Sequence, residues 1–174
     1  NRETDIEKSV TVNWQMRSSE ISSDQEDFLF ELSEFLNENP QAGINISPQI
    51  YSVKEKEHML LYEARKKFIL EKIKKKESQF TEDDSLACLQ LSIKDTLFNA
   101  YLDEHVKDDL LFTVQDKCAR LISEDQLNAT YRLLNEARKK TVLSVFENEK
   151  TNDQIRFLSN ESVVPYNGLS YFKI

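Results

Sequence analysis

The chain has 174 residues and a mass of 20.4 kDa, with 39% hydrophobic and 31% charged residues. That is enough for one domain with a core of its own, or one domain plus an insertion. A net charge of −8 and a pI near 4.9 argue against nucleic acid as a partner, since such affinity comes mostly from neutralising phosphates, and an anionic membrane surface is disfavoured on the same ground.

No apolar run approaches the roughly 20 residues of a transmembrane helix, and no signal peptide is read. The chain opens at Asn1 without a Met, so it is expected to be part of a longer protein whose targeting segments lie elsewhere. Gly43 and Gly168 are the only glycines, too few for a phosphate-cradling loop. The polar residues 1–9 are expected to form a flexible start.

A first strand is predicted over Val10–Met16, where Val10, Val12, Trp14 and Met16 alternate with polar residues. Phe28, Leu29, Leu32, Phe35 and Leu36 then recur at helical spacing up to Asn39-Pro40. Ser22-x-x-Gln25 and Ser23-x-x-Glu26 both have capping-box spacing at the start of that helix. Ile44, Ile46, Pro48 and Ile50 alternate again, predicting a second strand to about Tyr51. Strand, crossover helix and strand make a βαβ unit, so the first two strands should lie parallel in one sheet under that helix.

A second helix starts near Ser52 or Val53, carries Leu61, Ala64 and Phe68, and runs into the basic stretch Lys72–Lys76. After a loop near Gln79–Asp84, a helical middle follows. Leu86, Leu89 and Ile93 predict one short helix, Leu97, Phe98, Tyr101 and Leu102 another. Leu111, Val114, Cys118 and Leu121 predict a third, capped near Thr113. Ser123-x-x-Gln126 opens a long helix striped by Leu127, Tyr131, Leu134, Thr141 and Val145, broken by polar residues 147–153. The tail reads as a strand over Ile155–Leu158 and a hairpin over Val163–Ile174 turning at Asn167-Gly168. The fold class is therefore an α/β (α+β) sandwich: a mixed sheet of three to five strands with helices packed on it. It forms a single domain over residues 10–174 with a helical insertion at about 78–122.

No catalytic signature stands out, and the chain is read as a non-enzyme without cofactor or metal. Glu55-x-x-His58 has di-iron spacing, but such a site needs a second copy, and His105 has no Glu three residues before it. Glu55/Glu57, Glu82/Asp83/Asp84 and Asp108/Asp109 read as solvated charged faces. The run Arg65–Lys76 is a polyanion candidate, yet it also suits a helix C-terminus. Tyr166, Tyr171 and Phe172 read either as core-facing strand residues or as an aromatic docking surface. Cys88 and Cys118 allow two readings, a pair of buried thiols or a disulfide suited to an oxidising compartment. One echo appears: Leu60–Lys67 recurs as Leu133–Lys140 with a single difference. Either two helices reuse good helix formers, or they do equivalent jobs, each presenting one arginine, Arg65 and Arg138.

The order of Val10–Met16, Phe28–Pro40, Ile44–Ile50 and Leu61-x-x-x-Arg65 resembles the OmpA-like domain, as does the closing Leu134-x-x-x-Arg138 … Val145-Phe146 … Ile155-Arg156-Phe157. The segments Ser92–Asp95, Phe98-x-x-Tyr101-Leu102, Phe112–Cys118 and above all Val164-Pro165-Tyr166-Asn167-Gly168-Leu169-Ser170-Tyr171-Phe172-Lys173-Ile174 resemble the C-terminal region of large AsmA-like envelope proteins. That resemblance implies a periplasmic, non-catalytic interaction domain of a membrane-anchored parent, in envelope maintenance, outer-membrane assembly or intermembrane lipid transport, with an unidentified envelope protein as partner. The alternative is an OmpA-like peptidoglycan-binding module. In that family an Asp after the second strand and the Arg of the next helix hold a diaminopimelate group. Arg65 and Arg138 match the Arg, but Gln49-Ile50-Tyr51-Ser52 stands where the Thr-Asp should be. Both arginines are otherwise expected to brace helix against sheet or nearby acids.

Overall fold

The computed structural model describes residues 10–108, 110–111, 113–146 and 153–174. The expected flexible start over 1–9 lies outside these residues, as does the polar break at 147–152. Two compact units emerge rather than one domain with a short insertion: Asn1–Lys54 with Leu133–Ile174, and Glu55–Arg132. The helical unit is wider than the expected 78–122. Its core also draws on Leu60, Tyr62, Ala64, Phe68 and Ile69 before that stretch and Leu127 after it.

The first unit is an α/β sandwich. Its sheet holds β1 (Thr11–Asn13), β2 (Ile44–Ile50), β3 (Ile155–Phe157), β4 (Glu161–Ser162) and β5 (Tyr171–Lys173). The order is β1-β5-β2-β3, with β4 also on β2. β5 runs antiparallel to both β1 and β2, in register Val12↔Phe172 and Pro48↔Phe172. The first two strands are therefore parallel in a common sheet, as the βαβ reading requires, but β5 lies between them. β1 is shorter than expected because the chain turns at Ser18, whose N–H reaches the Gln15 carbonyl (3.1 Å), with Arg17 at φ +60°. Trp14 still continues the ladder through its N–H to the Ser170 carbonyl at 3.0 Å.

The expected hairpin over Val163–Ile174 does not form. β4 pairs parallel with β2 on one edge and β5 antiparallel on the other. The Asn167-Gly168 segment turns, but its loop arches over the C-terminal end of β2 instead of joining neighbouring strands.

Pro48 explains the break between β3 and β4. The carbonyls of Ile46 and Ile50 accept from the N–H groups of Leu158 and Val163 (2.8 and 3.0 Å), so alternation points the Pro48 nitrogen at this same edge. Proline has no N–H to give there. Pairing stops at Ile46↔Phe157 and resumes at Gln49↔Glu161, one residue out of step, a bulge opposite the missing donor.

One face of the sheet is covered by α1 (Ser23–Glu38) and by the stretch of α6 (Glu124–Val145) that belongs to this unit. Ser22 caps α1 by accepting from the Gln25 N–H at 3.3 Å, with Asp24 and Glu26 in the first turn where the helix dipole favours anions. Asn39 ends it, both its N–H groups donating to the Phe35 carbonyl, and Pro40 cannot continue the helix. Leu29 and Leu36 of α1 and Val142 of α6 meet Val12, Trp14, Ile46 and Phe172 in one core, together with Phe146 just past the end of α6. Trp14 and Phe157 both meet the Phe172 ring edge-on, at 5.1 and 5.6 Å.

The second unit holds part of α2 (Ser52–Ile73), then α3 (Glu82–Gln90), α4 (Thr96–His105), α5 (Val114–Leu121) and the start of α6. α2 ends in a Schellman-like turn: Lys75 N–H reaches the Leu70 carbonyl (3.2 Å) while Lys74, at φ +54°, takes the left-handed position usually given to glycine. Thr81 and Asp84 cap α3 reciprocally, and Asp95 and Thr113 cap α4 and α5. The predicted face Leu86–Leu89–Ile93 is turned outward. α3 stops at Gln90, so Ile93 belongs to no helix. The inward positions are instead Ser85, tied to the Tyr62 hydroxyl at 2.8 Å, then Cys88 and Leu91.

Gln154 ties the end of the last crossover to the first. Its Nε2 lies 2.9 Å from the carbonyls of Leu36, in the last turn of α1, and of Asn39 and Ala42 in the turn that follows it. The near-isosteric Gln154→Leu is expected to lower stability by about 1–3 kcal/mol in urea unfolding, because the Leu36 and Ala42 carbonyls lose this donor while that of Asn39 keeps the Ala42 N–H. A midpoint equal to the parent's would show that water replaces it without cost.

Candidate functional site

Of the two arginines that match the OmpA-like binding pattern, Arg138 is placed out of reach of a ligand. Its side chain is fully buried. Nε donates to the Ser18 carbonyl (2.9 Å) and Nη2 to the Gln15 carbonyl (3.1 Å), while the guanidinium lies 5.4 Å over the Trp14 ring. Both acceptors belong to the turn that takes the chain from β1 to α1. A charge in this setting is stabilised by charge-assisted hydrogen bonds and the π face. Arg138 thus braces α6 against the β1–α1 turn, the structural role expected beside the OmpA-like one, with backbone carbonyls rather than acids as its acceptors.

Arg65 sits differently. It is half-buried in the helical unit, and its Nε has no acceptor among the described residues. Its charge lies close enough to Cys118 to draw the thiol down, against burial, which pushes that thiol up to about 11. Cys88 and Cys118 share the apolar cluster as buried thiols. A thiol held this far above its ordinary range is a poor nucleophile at neutral pH.

The echo between Leu60–Lys67 and Leu133–Lys140 does not carry over to burial. In the first copy Leu60, Tyr62 and Ala64 are buried; in the second only Arg138 is. The same helix formers serve two different faces. Glu55 is buried with its carboxylate accepting from the Tyr131 hydroxyl at 2.8 Å. Within the basic run, Lys66 pairs with Glu77 and Lys75 with Asp84.

The surface feature with the strongest claim to contact another molecule is the tail loop. Phe172 is in the core and Tyr171 half-buried, whereas Tyr166 is fully exposed and Val164 and Val53 nearly so. The loop is held in shape: the Gly168 N–H reaches the Pro165 carbonyl (3.0 Å), the Leu169 N–H reaches Asn167 Oδ1 (3.1 Å), and Gly168 adopts φ +71°. An added Cβ at Gly168 would meet nothing within 4 Å, so backbone conformation alone calls for glycine there. At the foot of the loop, Ile50, Tyr51, Val53, Val163 and Val164 line a cleft of about 210 Å3 at the C-terminal end of β2. The sequence reading singled out Tyr166 but missed Val53 and Val164. The available signal was Val163-Val164-Pro165, two β-branched residues set directly before a turn.

No protein-family model, curated protein or solved structure matches the chain.

Because Arg138 is spent on packing, Arg138→Ala is expected to destabilise the α/β unit by about 3 kcal/mol, since the Ser18 carbonyl and the Trp14 face lose the guanidinium and the Gln15 carbonyl keeps only the Ser18 N–H. Arg138→Lys should recover only part of this, since an ammonium lacks the planar fork. Denaturant unfolding followed by near-ultraviolet circular dichroism of Trp14 reads both. A change under 0.5 kcal/mol for the alanine variant would contradict the bracing role.

Proposed function

We propose that this chain is a non-catalytic interaction domain of an AsmA-like envelope protein, working in the periplasm in envelope maintenance or intermembrane lipid transport. The observation that carries the reading is the tail loop. The segment Val164–Gly168, part of the motif that most resembles AsmA-like C-termini, is a hydrogen-bonded turn presenting an exposed tyrosine and valine beside an apolar cleft. A core motif would bury these side chains; this one offers them to solvent. Tyrosine supplies a large contact at small entropic cost, and a turn already held in shape loses little freedom on docking. The order of strands and helices in the α/β unit supports the OmpA-like part of the resemblance. The rival, peptidoglycan anchoring, is weakened by the commitment of Arg138 to the carbonyls of Gln15 and Ser18.

In the producing cell, Val164→Asp with Tyr166→Ala is expected to raise outer-membrane permeability to an apolar dye to the level of the deletion strain. Both positions are exposed, so the amount of folded protein should be unchanged. Permeability equal to the parent strain would remove the loop as the docking element. Sedimentation of the purified chain with sacculi, abolished by Arg65→Ala, would restore the anchoring reading.

A further inference from the structure

In the helical unit, α2 and α4 border a groove of about 350 Å3. Phe68 forms its floor, and Leu97, Ala100 and Tyr101 its α4 wall. Leu97 is 59% exposed although its neighbour Phe98 is fully buried, so the groove shows solvent more than half of an aliphatic side chain.

The rim carries two carboxylates, Glu71 and Glu104, against one ammonium, Lys72. Glu71 lies in the last turn of α2 and Glu104 in the last turn of α4, where unpaired carbonyls already concentrate negative partial charge. Asp103 is taken up by Lys117. Glu104 has no ion-pair partner among the described residues. His105 approaches Glu71 at 3.4 Å while stacking on Tyr101, and Lys72 leans over the Phe68 ring at 5.8 Å. The Tyr101 phenol in the wall is pushed above its ordinary value, first by burial and then by the Glu71 charge.

We propose that this groove docks a cationic amphipathic segment of a partner protein, which sets an aliphatic side chain against Leu97 and Phe68 and a lysine or arginine beside Glu104 and Glu71. Charge complementarity selects that occupant: the apolar floor takes the aliphatic group, and a cation relieves carboxylates held at helix C-termini. A second copy of the chain is a poorer fit. It would have to offer Ile73 with Lys74–Lys76, of which Lys75 is already paired with Asp84, and such a contact is not self-complementary.

The test is an NMR titration of the full chain with two synthetic helical peptides of equal length, one built from leucine and lysine, the other from leucine and glutamate. The lysine peptide should shift the amide signals of Leu97, Ala100, Tyr101 and Glu104, with a Kd at least about tenfold below that of its counterpart. Leu97→Asp should abolish those shifts. The double variant Glu71→Lys with Glu104→Lys should invert the preference, and these three positions are exposed enough for the variants to fold. Equal binding of both peptides, or shifts centred elsewhere, would overturn the proposal. So would shifts at these residues that grow with protein concentration in the absence of peptide, since they would name a second copy as the occupant.

Discussion

The α/β unit depends on one insertion: the last strand of the chain slots between the first two. Phe172 faces Val12 on one side and Pro48 on the other, and its ring meets those of Trp14 and Phe157. Without β5, β1 has no hydrogen-bonding neighbour among the described residues, and α1 would cross over a gap. Sequence separation makes this costly to form, because pairing residues 11–13 with 171–173 closes nearly the whole chain. What offsets that cost is burial: Val12, Trp14, Ile46 and Phe172 are all essentially inaccessible to water.

From this arrangement the surface features follow. β4 and β5 flank the same strand, so the chain between them must pass over the C-terminal end of β2, which puts Val164 and Tyr166 at an exposed crest. Pro48 denies a donor to one edge of β2 and so divides the strand that pairs there. Arg138 holds the β1–α1 turn, keeping Trp14 in place against Phe172. The arginine that a ligand-based reading would spend on chemistry is thus used to close the fold. This leaves apolar surface, rather than a charged pocket, as the feature that another molecule would meet.

Local rules made the elements legible. The Ser22, Thr113 and Ser123 caps, the Asn39-Pro40 stop and the alternation through β2 were all readable because each depends on residues a few positions apart. Three things were not readable. The position of β5 depends on contacts between chain ends, and the Asn167-Gly168 pair signals a turn without saying which strands it joins. The inward face of α3 is chosen by the Tyr62–Ser85 contact, so a stripe counted through Leu86, Leu89 and Ile93 ran across a helix end. The burial of Arg138 was invisible because its partners are backbone carbonyls, which leave no mark in the sequence. Of the candidate surface, Tyr166 was in view as one of two readings. The groove along Leu97 and Tyr101 was not, since helical spacing does not tell a face that is covered from one that is left open.

Native-state hydrogen exchange of the intact chain tests the insertion most directly. If β5 is the central tie, the amides of Ile174 and Trp14, which donate to the carbonyls of Val10 and Ser170, open only in the same global event as those of β2. Exchange at these two amides at the rate of a frayed terminus, while α1 and β2 stay protected, would contradict the account.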